Sequence, residues 1–185
     1  MNNRLTKCKI KAEGCEVTYT KWSISQKCCK NIACAIELMR QEKTRKARKS
    51  HLEAKVKARP RGEWLKLAHS AFNAFIRARD KNQPCICCGE PLALVKYGGS
   101  YDCGHYRSVG SAPHLRFDER NAHAQRKQCN RWGSGRAVDY RLGLIARIGL
   151  EEVESLESDN TVRKYTITEL QEIISLYRKK LKELV

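Results

Sequence analysis

Residues 85–130 decide how this chain is read. They open Cys85-Ile86-Cys87-Cys88-Gly89, pass through Asp102-Cys103-Gly104-His105-Tyr106 and Glu119-Arg120-Asn121-Ala122-His123, and close on Cys129-Asn130. Cys85 and Cys88 have the two-residue gap that lets two thiolates reach one tetrahedral zinc ion. Cys129 offers a third sulfur from the far side. Position 126, where a second CxxC would begin, is Arg126, so the fourth ligand is left to Cys103, His123, Cys87 or none. Between these sulfurs lie a histidine, an aspartate and two asparagines, the residue types that supply a general base and oxygen ligands for a hard cation.

Working outward, the whole chain of 185 residues carries 37 basic and 20 acidic residues, a formal charge of +17. A surplus of this size points to a polyanion, nucleic acid before membrane. Residues 1–20 are polar and basic, with no apolar stretch of a secretory signal. No run approaches the ~18–20 apolar residues of a membrane span. The expected location is therefore cytoplasmic. There disulfides are rare, and the ten cysteines read as metal ligands.

Three segments follow. Residues 1–38 hold Cys8, Cys15, Cys28, Cys29 and Cys34, too short a segment to bury a core unaided. Zinc held by Cys8, Cys15, Cys34 and one of Cys28 or Cys29, here Cys29, would fold it. Residues 39–61 form a basic helical linker in which Lys43, Arg45, Lys46, Arg48 and Lys49 can lie along phosphates. Residues 62–185 form the main domain, an α+β unit. Within it Trp64, Leu67, Ala68, Ala71, Phe72, Phe75 and Ala78 mark an amphipathic helix over 63–81, with His69 off the stripe and read as exposed. A hairpin is expected after the knuckle, with a turn at Gly98-Gly99 and a strand over 101–106. A helix follows Asn130 and stops at Gly149. A last helix begins at the capping box Thr166-x-x-Glu169 and packs on the core or on a second subunit.

These residues resemble the HNH, or ββα-metal, nucleases, in which a hairpin carries a base histidine and a helix carries the asparagine or histidine that holds a cation. More closely, the chain resembles the NinG (Rap) family of lambdoid phages. The shared features are Pro84-Cys85-x-x-Cys88-Gly89, Asp102-x-Gly104-His105-Tyr106, Pro113-x-Leu115-Arg116-Phe117, Glu119-Arg120-Asn121-x-His123 and Cys129-Asn130. The resemblance implies a zinc-stapled ββα-metal core and a structure-specific endonuclease acting on D-loops and Holliday junctions in phage DNA recombination inside the bacterial host cell. It implies structural Zn²⁺ on Cys8, Cys15, Cys29 and Cys34 and on Cys85, Cys88 and Cys129. Cys103 is taken to replace the sulfur that the family has at the position of Arg126.

It also implies a catalytic Mg²⁺ or Mn²⁺ on Asn130 and Asp102, with His105 as base and Asn121 and His123 in supporting catalytic places. Arg107, Arg116, Arg120 and Arg126 are the expected phosphate clamps. Branched DNA is the expected partner, with a homodimer and recombination proteins as further ones and no membrane. The alternative is a zinc-stabilised DNA-binding protein without catalysis, architectural or regulatory. Strand alternation puts Cys103 and His105 on one face and Asp102 on the other. Asp102 therefore joins the cation only if Gly104 permits a bulge or kink.

Overall fold

Pro60 is where the chain divides. It lacks an N–H and favours extended backbone in the residue before it, so it ends one helix and opens the next. The computed structural model describes residues 5–92, 101–133 and 135–184. It separates into two units, Met1–Arg59 and Pro60–Val185.

In the first unit, β1 (Leu5–Lys7) pairs antiparallel with β2 (Thr18–Thr20). Helix α1 (Ile32–Lys57) follows, capped by Asn31, whose side chain accepts from the Ala33 N–H at 2.8 Å. Its buried residue is Cys34, in the first turn. The boundary expected at residue 38 thus falls inside a continuous helix. Cys34 anchors the helix, and the basic residues ride on its later turns. Helix α1 is ~39 Å long at 1.5 Å per residue, and with little apolar face to bury its later turns stand in solvent.

The second unit is built on α2 (Arg61–Arg79) and α5 (Ile167–Glu183). Trp64, Ala68, Phe72, Phe75 and Ile76 of α2 share one core with Leu170, Ile174 and Tyr177 of α5. Phe72 and Tyr177 meet edge to face at 4.9 Å. The last helix therefore packs on its own chain. The Thr166 hydroxyl accepts from the Glu169 N–H, and the Glu169 carboxylate accepts in return from the Thr166 N–H at 2.7 Å.

Against α2 lie β3 (Tyr101–His105) and β4 (Ala122–Arg126), antiparallel in unbroken register from Tyr101↔Arg126 to His105↔Ala122. The connection between them carries a 3₁₀ turn, Pro113–Phe117. The expected Gly98-Gly99 turn lies outside the described residues. Strand β4 runs into a π-helical turn, Gln128–Trp132, and then α3 (Ala137–Ile148). Gly149, at φ +88, ends α3 and lets α4 (Leu150–Ser158) start directly. The architecture is α+β. Among the described residues no helix is long and apolar enough to cross a membrane.

Candidate functional site

Two sets of four sulfurs gather, and each could bind zinc. In the first unit these are Cys8, Cys15, Cys29 and Cys34; in the second, Cys85, Cys87, Cys88 and Cys129. Within each set all four sulfurs lie within 4.8 Å of one another. A tetrahedron of thiolates at the usual 2.3 Å zinc–sulfur distance has edges of ~3.8 Å. Cys8 and Cys34 are 3.7 Å apart, Cys15 and Cys29 3.7 Å, and Cys85 and Cys87 3.5 Å, so both sets fit that ion.

Each set contains one thiol poised to ionise. Backbone donation, from Cys29 above all, brings Cys8 down to about 6. For Cys85, burial acts upward, but the N–H groups of Arg126, Cys87 and Cys88 outweigh it and bring the thiol to about 7. Strand β4 supplies the Arg126 donor, at 3.3 Å, and the knuckle turn the other two. Cys85 N–H donates to Glu90 O, Gly89 N–H donates to Cys85 O, and Gly89 takes φ +70.

The fourth sulfur gathered in the second set is that of Cys87, in place of the expected Cys103. Cys103 sits in β3 on the face packed against the α2 core, and burial pushes its thiol up to about 12. Cys87 turns inward because the Gln125 Nε2 reaches its sulfur at 3.4 Å.

Beside this clip, Asp102 and Asn130 meet. Asn130, on the π-helical turn, donates Nδ2 to Asp102 Oδ2 at 3.2 Å, leaving its carboxamide oxygen as the atom it offers a hard cation. No bulge is needed. The register stays continuous, and Gly104 serves a different purpose: a Cβ there would lie 2.3 Å from Gln125 Oε1. Arg131 already pairs with the carboxylate at 2.8 and 3.2 Å. Burial acts upward on Asp102, but Arg131 and then Asn130 hold it below the usual carboxylate range. The Arg131 side chain is 59% exposed, so packing does not fix it there.

His105 lies on the other face of β3. Its ring rests 5.5 Å from that of His69 and 5.9 Å from Phe72, both on α2. Nε2 is 3.1 Å from Arg116 O. A carbonyl only accepts, so Nε2 carries the proton and Nδ1 is the basic nitrogen. Burial lowers the pKa of this ring, against the Arg116 carbonyl, and keeps it neutral. Among the described residues no hydrogen bond joins His105 to Asp102 or Asn130. His69, expected to be exposed, has a buried Nε2 without a partner, and burial lowers it to about 4.

Asn121 and His123 leave the catalytic set. Asn121 is 0% exposed. Its Oδ1 accepts from Arg107 N–H at 2.8 Å, and its Nδ2 donates to Arg107 O and Leu115 O. It clamps the β3–β4 connection, and full burial closes it to a ligand. His123 has Nε2 at 3.2 Å from Arg120 O and accepts at Nδ1 from Arg79 at 3.0 Å. Asp80 stands 3.6 Å away, bound to Arg79 and to the Ala124 N–H. This buried cluster ties the end of α2 to β4.

The expected phosphate clamps divide. Arg107 is committed to carbonyls at the end of α4, among them Leu156 O at 2.9 Å. Arg120 is held by Asp118 and Glu152, and Arg116 donates to Val109 O. Arg126 instead lines a groove with Trp132 and Arg136. Lys43, Arg45, Lys46, Arg48 and Lys49 are exposed along α1. Trp132, 79% exposed and two residues past Asn130, was not singled out by pattern. Its signal was an apolar ring among arginines in a stretch with no helical period.

A family model described as Bacteriophage Lambda NinG protein matches residues 2–185. Proteins named "Protein ninG" from Escherichia phage lambda and Salmonella phage P22 are each 45% identical to the chain over 130 residues, 70% of its length. A third, from Escherichia phage 933W, has the same identity and coverage. The chain spans 61–62% of the length of these curated relatives. No solved structure matches.

Proposed function

The chain belongs to the bacteriophage lambda NinG family, and from that membership we propose a metal-dependent endonuclease acting on branched recombination intermediates, D-loops and Holliday junctions, through an HNH-like core. The supporting observation is the meeting of the Asp102 carboxylate and the Asn130 carboxamide at 3.2 Å beside a sulfur clip. Both side chains offer hard oxygen donors, which suit Mg²⁺ or Mn²⁺. Bound there, the cation would stabilise charge on the phosphoryl oxygens and the leaving 3′ oxygen. Arg131, now paired with Asp102 and largely exposed, would be free to contact a backbone phosphate if a cation took over that carboxylate.

In this reading His105, protonated on Nε2, would turn from its α2 packing toward the cation and take the proton of the attacking water at Nδ1. The water oxygen bonds to phosphorus, the P–O3′ bond breaks, and the products carry a 5′ phosphate and a 3′ hydroxyl. Half-buried Arg126, exposed Arg136 (paired with Asp139 at 2.9 Å) and the exposed α1 series hold the backbone without reading bases.

A second reading has its own support. His105 packs against His69 and Phe72 on the strand face opposite Asp102. If that placement is also its working one, the chain is a zinc-stabilised DNA-binding protein without catalysis. Cleavage of a synthetic four-way junction beside a linear duplex, with and without Mg²⁺, separates the two. The endonuclease gives Mg²⁺-dependent cutting of the junction that His105→Ala and Asn130→Ala each lower by about 100-fold or more, with junction binding and zinc content kept. Binding without cutting in the unsubstituted chain overturns the hydrolytic reading.

A further inference from the structure

The N-terminal unit contains a groove of about 420 Å³ that the hydrolytic site does not use. Its apolar lining is Tyr19 on β2, Ile10 after β1 and Leu38 on α1, all half-buried, with Ile24 on the intervening turn at its lip. Ile24 is 99% exposed, an unusual place for a branched aliphatic side chain. Its rim is cationic, with Lys9, Lys21, Lys27 and Arg45 against the single carboxylate of Glu42. Lys27 pairs with that carboxylate at 2.7 Å and Arg45 lies within its field, so one acid stands against four cations, with Lys9 and Lys21 exposed. The turn that carries Ile24 is fixed by Gln26, whose Oε1 accepts from the Trp22 N–H and whose Nε2 donates to Cys28 O. The sulfur set of Cys8, Cys15, Cys29 and Cys34 gathers the segment after β1 and the first turn of α1, and none of its cysteines lines the groove.

We propose that this groove binds single-stranded DNA. One unpaired base stacks on Tyr19 and Ile24, and the flanking phosphates lie on Lys9, Lys21 and Arg45. An apolar floor with an aromatic ring inside a positive rim is the arrangement that tracks a single strand, since every base offers a flat face and every linkage a charge. Duplex DNA offers the rim its phosphates but keeps its base faces stacked away from the floor. The proposal extends the DNA reading above to a second surface, and it requires DNA as partner but not hydrolysis.

The test uses the full chain with zinc retained and no Mg²⁺ added, so that cutting plays no part. Anisotropy of labelled oligo(dT) is compared with that of a duplex of equal length. Ile24→Asp and Lys21→Ala/Arg45→Ala alter exposed residues only, and zinc content reports whether the unit stays folded. The expected result is tight oligo(dT) binding that Ile24→Asp weakens by about tenfold or more, with duplex affinity changed less than about threefold. The double variant weakens both, oligo(dT) more. The proposal is overturned if Ile24→Asp lowers both affinities equally or neither. It is also overturned if an Asp/Glu-rich peptide displaces oligo(dT) as well as unlabelled oligo(dT) does, which would make the groove a site for acidic protein segments. A chain that binds oligo(dT) but cuts no junction keeps the groove and loses only the endonuclease. A chain that cuts junctions but fails the oligo(dT) test does the reverse.

Discussion

Cys87 and Cys103 show how far spacing alone reaches. Each lies near Cys85 and Cys88 in the quoted stretch, and no count of intervening residues chooses between them. The choice is made by Gln125, which holds the Cys87 sulfur at 3.4 Å, and by α2, which covers Cys103. Zinc analysis of purified variants checks this. The unsubstituted chain should hold two zinc ions, Cys103→Ser two, and Cys87→Ser fewer than two. A loss confined to Cys103→Ser would restore the earlier ligand set. The same contrast holds for Asn121 and Asn130, both amides near cysteine or histidine in sequence. Asn121 spends every polar atom on the loop, whereas Asn130 meets a carboxylate. Residue type made both candidates; hydrogen-bond partners separate them.

Among the elements, the helices were the most legible. The stripe over 63–81, the stop at Gly149 and the Thr166-x-x-Glu169 box all correspond to helix faces or ends, because helix signals are local and repeat every 3.6 residues. What α5 packs on was not local, and burial of Leu170, Ile174 and Tyr177 against α2 answers it. Since the cap is exposed and reciprocal, Thr166→Ala should destabilise the second unit by about 1 kcal/mol. Urea unfolding followed by the helical circular dichroism signal measures it, and an unchanged midpoint would show that the box adds nothing to the packing. Strand β3 was also foreseen, but its partner β4 lies across a connection of sixteen residues, 106–121, a pairing that no local pattern specifies. Helix α1 joins what composition divided, since charge changes at residue 39 while the hydrogen-bonded backbone does not.

On the scale of the molecule, His69, His105 and His123 are all shifted below their ordinary range, with burial the largest cause for each. A histidine whose folded pKa is depressed contributes stability that is present above its unfolded value near 6.5 and is lost as pH falls through the folded one. For His69 that window runs from about 6.5 down to about 4, and the unfolded chain binds the extra proton throughout it. Tm should therefore fall between pH 7 and pH 5, by about 2–4 °C for each kcal/mol lost. His69→Gln should flatten part of that slope, and an equal slope in the variant would mean that the ring is solvated. By itself the sequence determined the sulfur sets in outline, the basic surface, the helix ends and the candidacy of Asp102, His105 and Asn130, because these depend on residue type and short spacing. Only the tertiary structure decided that Asp102 and Asn130 meet, that His105 and Cys103 turn to α2, and that Asn121 and His123 belong to the scaffold. Those outcomes depend on which side chains the folded chain brings within hydrogen-bond reach from distant positions, and sequence separation carries no record of that.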